Sequence, residues 1–104
     1  MSDRARFTDL KVVVLICEEA LENLVCTDIL AVGAKGYTLS TVRGRGNRGV
    51  RDAGWLLSSN VRFEVMCSEE TAMRFIDLVE LRYASNYGLI IYMHDVLSMG
   101  AGDH

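Results

Sequence analysis

Residues 60–83 read NVRFEVMCSEETAMRFIDLVELRY, and this stretch joins a strand pattern directly to a helix pattern. From Asn60 to Cys67 the residues alternate, which predicts a strand with one face on a core. Its inward residues are Val61, Phe63, Val65 and Cys67, and its outward residues are Arg62, Glu64 and Met66. Ser68 is a good helix N-cap, and Glu69 and Glu70 supply negative charge to the first turn. The core face of this predicted helix is Ala72, Phe75, Ile76, Val79 and Tyr83.

The first part of the chain repeats the strand-then-helix pattern. Leu10 to Cys17 is an almost continuously apolar, β-branched run, which predicts a strand covered on both faces. Glu18 and Glu19 then place negative charge where a helix would begin, and Gly33 offers its end. The predicted core residues of this helix are Leu21, Leu24, Val25, Ile29 and Val32.

Two more strands complete the predicted sheet. Tyr37 to Arg43 alternates in character, and Tyr87 to Met93 is another near-continuous apolar run. The order βαββαβ predicts an α+β, ferredoxin-like fold, with a four-stranded antiparallel sheet and two helices on one face. Because the first and fourth strands look apolar on both faces, we expect another copy of the chain to cover the open face.

Length and composition fit one soluble domain spanning residues 1–104. No apolar run approaches the roughly 18 residues of a membrane span, residues 1–9 show no signal-peptide pattern, and residues 99–104 are expected to be a frayed tail. Cys17, Cys26 and Cys67 have no spacing typical of a disulfide framework or a zinc site, so we interpret them as small core residues of a cytoplasmic protein.

The segment between the second and third strands combines positive charge with glycine, although the formal net charge of the chain is −3. It contains Arg43, Arg45, Arg48 and Arg51 among Gly44, Gly46 and Gly49. Guanidinium groups and glycine-exposed backbone N–H groups both suit phosphate or carboxylate oxygens, so this segment predicts a site for a small anion. A solvated basic loop without a ligand is the simpler alternative.

The same glycines match the dinucleotide-binding pattern GxGxxG. That pattern requires a glycine-rich turn that opens a helix inside a parallel βαβ unit, whereas the residues after Val50 continue as a loop towards an antiparallel strand. We therefore do not predict a Rossmann-type site.

An RNA-binding module is the main alternative function for a basic loop on such a sheet. RNA-binding proteins of this topology place stacking aromatics on the middle strands, whereas here Phe63 faces the core and Arg62 and Glu64 face outward. The acidic net charge also opposes binding of a polyanion, so no nucleic-acid partner is predicted.

The sequence contains no catalytic or metal-binding constellation. His94 and Asp95 follow the predicted fourth strand, and neighbours along a strand point to opposite faces, so His94 is interpreted as a surface histidine. A slow, metal-dependent nucleotide hydrolase remains a further alternative, although the prediction is that the chain is not an enzyme. Trp55 in the basic segment is a candidate partner-binding residue, and packing onto the domain is equally compatible with the sequence.

Four motifs resemble those of the PII-like signalling proteins. They are Gly33-Ala-Lys-Gly-Tyr-Thr38, the glycine and arginine run 43–51, Asn60-Val-Arg-Phe-Glu64 and Tyr87-Gly-Leu-Ile-Ile-Tyr92. The chain is most similar to the SbtB and carboxysome-associated branch, which is linked to inorganic-carbon uptake. The resemblance implies a homotrimer with nucleotide sites in clefts between subunits. It also implies a T-loop, at about residues 44–59, whose conformation depends on the bound adenine nucleotide.

The resemblance also implies which residues bind the nucleotide. Gly36, Tyr37 and Thr38 would line the cleft, and Tyr87, Gly88, Leu89 and Ile90 would hold the nucleotide from the other side. The phosphate contacts would come from Arg43, Gly44, Arg45, Gly46, Arg48 and Arg51.

Departures from the family pattern narrow the expected regulation. The T-loop has no tyrosine, so uridylylation is not expected, and the chain ends without a cysteine pair, so redox control there is not expected either. Met93, His94 and Asp95 stand where PII proteins carry basic residues, which favours AMP or ADP over ATP; cyclic AMP is a further candidate.

Bicarbonate could bind beside the nucleotide with a T-loop arginine as its partner. The expected partner protein is a bicarbonate transporter or a carboxysome-related protein, and any membrane contact would be made through that partner.

Overall fold

The computed structural model describes residues 5–43 and 59–99 as an antiparallel four-stranded sheet with two helices. The elements are β1 (Phe7–Glu18), α1 (Glu22–Ala31), β2 (Thr38–Val42), β3 (Asn60–Cys67), α2 (Glu69–Tyr83) and β4 (Ile90–Met99). The strand order is β2-β3-β1-β4. The predicted ferredoxin-like fold, with a long connection between β2 and β3, is confirmed.

Strand β1 lies in the interior of the sheet, between β3 and β4. Val13 and Leu15 face the helices, while Val12 and Val14 face the other side, and all four residues are buried. This burial on both faces explains why β1 reads as a continuous apolar run rather than an alternating one.

Helix α1 begins later than predicted. Glu18 is the last residue of β1, where it pairs with Asn60, and residues Glu19–Leu21 form a short 3-10 turn before the α-helix. Gly33 has φ +98°, a left-handed conformation that favours glycine, so the predicted helix end is confirmed. The prediction that Leu24 faces the core is wrong, because Leu24 lies beside the buried row of Leu21, Val25 and Ile29 and is 54% exposed.

Helix α2 follows the prediction closely. The Ser68 hydroxyl accepts a hydrogen bond from the Thr71 backbone N–H at 3.2 Å, which confirms the N-cap. Phe75 and Val79 are fully buried, and Ile76 is half-buried against the same core. The core therefore lies between the two helices and one face of the sheet.

The predicted limits of β4 are wrong at both ends. The Tyr87 N–H donates to the carbonyl oxygen of Tyr83 at 3.0 Å, so Tyr87 still belongs to the turn that ends α2. The strand then continues to Met99, which pairs with Phe7 of β1, so Met99 is not part of a frayed tail and His94 lies within the strand. Residues 100–104 lie outside the described part of the chain.

Cys17 and Cys67 are buried in the core, as predicted for small core residues. Burial raises the pKa of both thiols, that of Cys17 to about 12. Cys26 is half-buried at the edge of the core, and all three cysteines are free. Neither described helix is long and apolar enough to cross a membrane.

Candidate ligand-binding site

The sheet face opposite the helices carries polar side chains above an apolar floor. Strand pairing places Thr38, Glu64, Val14 and Tyr92 in one row across the four strands, because antiparallel partners point to the same side. The adjacent row towards the loop contains Ser40, Arg62, Ile16 and Ile90, and the row on the other side contains Met66, Val12 and His94.

Arg62 is held in place by two neighbours on this face. Its Nη2 lies 3.1 Å from Glu64 Oε2, and its side chain also hydrogen-bonds to Tyr92. Both hydrogen bonds raise the pKa of Arg62, and the one to Glu64 has the larger effect. The Tyr92 and His94 rings are stacked, with centroids 6.4 Å apart and an interplanar angle of 27°. This polar layer flanks Val14, which is fully buried although no helix covers it.

A groove of about 520 Å³ runs along one end of this face. It is lined by Val12, Lys35, Gly36, Tyr37, Thr38, Glu64, Met66, His94 and Val96. Three of the predicted site residues, Gly36, Tyr37 and Thr38, therefore line the same groove. The lining combines apolar surface with a lysine, a carboxylate, an imidazole and a hydroxyl, which suits a small amphiphilic ligand that has both apolar and polar groups.

Tyr37 is fixed at the wall of this groove. Its ring meets the buried Phe63 ring edge-on, with centroids 5.6 Å apart. A hydrogen bond between its hydroxyl and the Cys26 thiol raises the pKa of Tyr37. A Cβ atom added at Gly36 would meet nothing within 4 Å, so the backbone is approachable there.

The second group of predicted residues lies at the other end of the sheet. Arg43 follows directly after β2, and the segment 87–90 leads into β4 at the same end, where Ile16 pairs with Ile90. Strands β3 and β1 separate the two, a distance of roughly 14 Å at the usual strand spacing. Tyr87 packs edge-on against Tyr83, with centroids 6.2 Å apart, and Leu89 is buried.

The predicted nucleotide-binding residues thus form two groups within one chain. Thr38 begins β2 and Arg43 follows its last residue, roughly 17 Å away along an extended strand. The two groups therefore do not adjoin in a single chain. Gly44, Arg45, Gly46, Arg48, Arg51 and Trp55 lie outside the described residues.

Sequence analysis did not identify several lining residues of the groove. Glu64 and Met66 were assigned correctly to the outward face of β3, but only the pairing with β2 shows that they adjoin Thr38. The interpretation of His94 as a residue beyond the last strand is wrong, because β4 continues through it and brings its ring to the groove. Lys35 lies in the Gly33–Thr38 motif and Val12 in the first apolar run, but neither was predicted as a site residue, and Val96 carried no sequence signal.

A second concave surface, of about 400 Å³, lies on the helix side near the ends of β1 and β4. Lys11 pairs there with Asp95 and lies 3.9 Å from Glu69, so its charge is already neutralised. The hydrogen-bonded ion pair with Asp95 raises the pKa of Lys11 and lowers that of Asp95. Within residues 5–43 and 59–99, no group of three or more His, Cys, Asp or Glu residues could hold a metal ion.

Comparison with known proteins gives a consistent family. The family described as nitrogen regulatory protein P-II matches residues 10–102. Among solved structures, one described as a PII-like signaling protein from Thermus thermophilus has 34% sequence identity and a TM-score of 0.75, and the match covers 89% of this chain and 92% of that one.

Two more distant structures share the fold. CPII from Thiomonas intermedia, described as a nitrogen regulatory PII-like protein bound to ADP, AMP and bicarbonate, has 18% identity and a TM-score of 0.74, and the match covers 88% of this chain and 93% of that one. A DUF3240 family protein from Shewanella baltica has 15% identity and a TM-score of 0.68, with 90% and 97% covered. With nearly the whole described sheet inside the family match, this chain belongs to the P-II family of nitrogen regulatory proteins.

Proposed function

We propose that this chain is a non-catalytic signalling protein that binds an adenine nucleotide, AMP or ADP in preference to ATP, in clefts between the subunits of a homotrimer. Residues 44–59 are the T-loop through which the bound state reaches a partner protein. A ligand can act in this way only if it binds one conformation of the T-loop more tightly than another.

The separation of the two groups of site residues carries the proposal. Gly36, Tyr37 and Thr38 line the groove, whereas Arg43 and residues 87–90 lie at the far end of the sheet. Both groups can contact one nucleotide if each belongs to a different subunit at a shared cleft. The groove supplies an amphiphilic surface for a base and ribose, and Arg43 with the neighbouring arginines supplies the charge for phosphates.

The exposed sheet face supports the oligomer. Tyr92 is 46% exposed and Val96 is half-buried on a face without helices, and a trimer would bury both. PII-like CPII has been solved with ADP, AMP and bicarbonate, which supports the ligand class and makes bicarbonate the candidate co-ligand.

The proposed physiological role is control of inorganic-carbon uptake or of carboxysome function in the cytoplasm. The partner would be a bicarbonate transporter or a carboxysome-related protein. The RNA-binding alternative gains no support, because Arg62 on the open face is already bound to Glu64 and Tyr92.

Calorimetric titration with AMP, ADP, ATP and cyclic AMP, each with and without bicarbonate, tests the ligand. We expect AMP or ADP to bind more tightly than ATP. No heat and no thermal-shift response with any of the four nucleotides would overturn the proposal.

Mixed trimers test the shared cleft. We expect Thr38→Val and Arg43→Gln each to weaken binding when every subunit carries the same substitution. If each site takes Thr38 from one subunit and Arg43 from its neighbour, trimers reassembled from an equal mixture recover about a quarter of the sites. If both residues serve the same site from one chain, no site recovers, and the inter-subunit site is disproved.

A further inference from the structure

A buried carboxylate joins the two helices close to the segment that leads into β4. Asp28 of α1 is only 2% exposed, yet it is a charged residue in a helix that otherwise buries apolar side chains. Its Oδ1 accepts a hydrogen bond from Arg82 Nη1 at 2.8 Å, and its Oδ2 accepts one from the Tyr83 hydroxyl at 2.5 Å. Both carboxylate oxygens are therefore satisfied.

An apolar residue at position 28 could fill this interface without the desolvation that a carboxylate requires. Removing an ion from water carries a large free-energy cost that its partners must compensate, so a buried ion pair is weak evidence for stability alone. The carboxylate instead fixes the positions of its two hydrogen-bond donors, because each oxygen accepts from one of them in a defined geometry.

Of the two donors to Asp28, Tyr83 also contacts the chain that follows α2. Its hydroxyl is kept protonated, because burial and the hydrogen bond to Asp28 raise the pKa of Tyr83 to about 12. Tyr83 is also the last residue of α2 and is nearly fully buried. Asp28 therefore fixes the ring of the residue from which the chain leaves the helix.

The chain beyond α2 is built on Tyr83. The carbonyl oxygen of Tyr83 accepts hydrogen bonds from the N–H groups of Asn86, at 3.1 Å, and Tyr87, at 3.0 Å. Its ring meets the Tyr87 ring at an interplanar angle of 70°. Tyr87 begins the segment 87–90, so both the backbone and the ring of Tyr83 determine where that segment starts.

We propose that Asp28 and Tyr83 are positioning residues for the nucleotide: the hydrogen bond between them holds segment 87–90 in its ligand-ready position before the ligand arrives. This inference rests on the proposed function, because segment 87–90 is taken as one wall of the nucleotide cleft. Neither residue need contact the ligand. A segment that is already held in place loses less conformational freedom when the nucleotide binds, so the protein binds the nucleotide more tightly.

A second contact between the helices provides a matched control. Arg74 of α2 donates from Nη2 to the carbonyl oxygen of Val32, just after α1, at 3.0 Å. Like Arg82, it ties α2 to α1 through a guanidinium group, but it lies near the start of α2, far from Tyr87 along the helix. The chain that leads on to Gly36 keeps a separate anchor, because the Ala34 N–H donates to the carbonyl oxygen of Ile29 at 3.3 Å. A role in general stability predicts equal effects at both contacts, whereas a positioning role predicts an effect at Asp28 and Tyr83 alone.

The experiment compares ADP binding by Tyr83→Phe, Asp28→Asn and Arg74→Gln with that by the unsubstituted protein, using calorimetry well below each melting temperature. Tyr83→Phe keeps the ring and removes only the hydroxyl. We expect Tyr83→Phe and Asp28→Asn each to raise the Kd for ADP roughly three- to tenfold, because each loses about one net hydrogen bond that pre-organises the segment. Arg74→Gln should leave the Kd within about twofold of the unsubstituted value. Hydrogen exchange of the Gly88 and Leu89 amides without nucleotide should be faster in Tyr83→Phe than in Arg74→Gln.

The outcomes separate the two proposals. If the unsubstituted protein does not bind an adenine nucleotide, the proposed function fails and this inference fails with it. If that protein binds ADP but Tyr83→Phe has the same Kd, the positioning role is overturned and the proposed function stands. A Kd that rises in all three variants in proportion to their loss of melting temperature would also overturn it. Should Asp28→Asn not fold, the comparison of Tyr83→Phe with Arg74→Gln decides the question.

Discussion

The two faces of the sheet bury similar residues of β1 in different ways. On the helix side, Val13 and Leu15 are sealed by apolar side chains such as Phe75. On the open side, Val14 is equally buried, but it lies between Glu64 and Tyr92 in the paired strands. Polar neighbours can cover an apolar strand and still offer hydrogen-bonding groups to a ligand or another subunit. The helix face therefore serves stability, and the open face is suited to binding.

The largest expected effect is on the helix face. Phe75→Ala removes a fully buried ring from the core and should lower the free energy of unfolding by about 3–5 kcal/mol. Urea denaturation followed by circular dichroism measures this change. Leu81→Ala on the same helix is the control, because Leu81 is 82% exposed and its truncation should cost less than about 0.5 kcal/mol. Similar losses for both variants would contradict the assigned helix face.

A charge on the open face should act on assembly. Val96 faces the groove side, whereas its neighbour Leu97 points to the helix side of the sheet. We expect Val96→Lys to dissociate the proposed trimer, because an unpaired charge would be buried at the interface. Leu97→Lys, the control, should leave the trimer intact. Light scattering after size-exclusion chromatography measures the mass, and an unchanged mass for Val96→Lys would show that this face is not the interface.

Alkaline pH should weaken the helix side of the fold. The pKa values of Cys17 and Tyr83 are each raised to about 12 from ordinary values of 9.0 and 10.0. Since the folded state favours their protonated forms, their contribution to stability is complete below about pH 9 and is lost as the pH rises towards 12. Denaturation curves from pH 8 to 11 measure the decline. Tyr83→Phe should flatten it above pH 10, and an unchanged slope there would contradict the role assigned to Tyr83.

The smallest effect is expected at the margin of the helix side. Lys11 forms an ion pair with Asp95 that remains open to solvent. We expect Lys11→Gln to lower the melting temperature by about 2 °C or less at low salt, and by nothing measurable in 1 M NaCl. Calorimetry at both salt concentrations tests this expectation. A large loss that persists in high salt would show that Lys11 contributes more than a surface ion pair.

The sequence predicted the elements best where one local pattern had one structural meaning. Ser68 with the apolar spacing of Phe75 and Val79 predicted α2 correctly, and the alternation around Phe63 predicted the faces of β3. Strand β4 was misplaced because an apolar run does not distinguish a strand from a buried turn. The hydrogen bond from Tyr87 to Tyr83 assigns residue 87 to the turn, and pairing with β1 carries the strand on to Met99.

The candidate site was predictable only in part. The motif ending in Gly36, Tyr37 and Thr38 pointed to residues that do line a groove. His94 was missed as a lining residue of the groove because its position depends on the pairing of β4 with β1, which places His94 opposite Val12. A sequence records neighbours along a strand, but residues across a sheet become neighbours only through pairing.

By itself, the sequence determined the α+β class, the alternating faces of β3, the capped and amphipathic α2 and the P-II resemblance, because each of these depends on spacings of a few residues. Only the tertiary structure decided that Asp28 would meet Tyr83, that Arg62 would bind Glu64 and Tyr92 together, and that the site residues would form two groups at opposite ends of the sheet. The physical reason is that these contacts join residues far apart in the chain, and strand register and helix packing set their geometry.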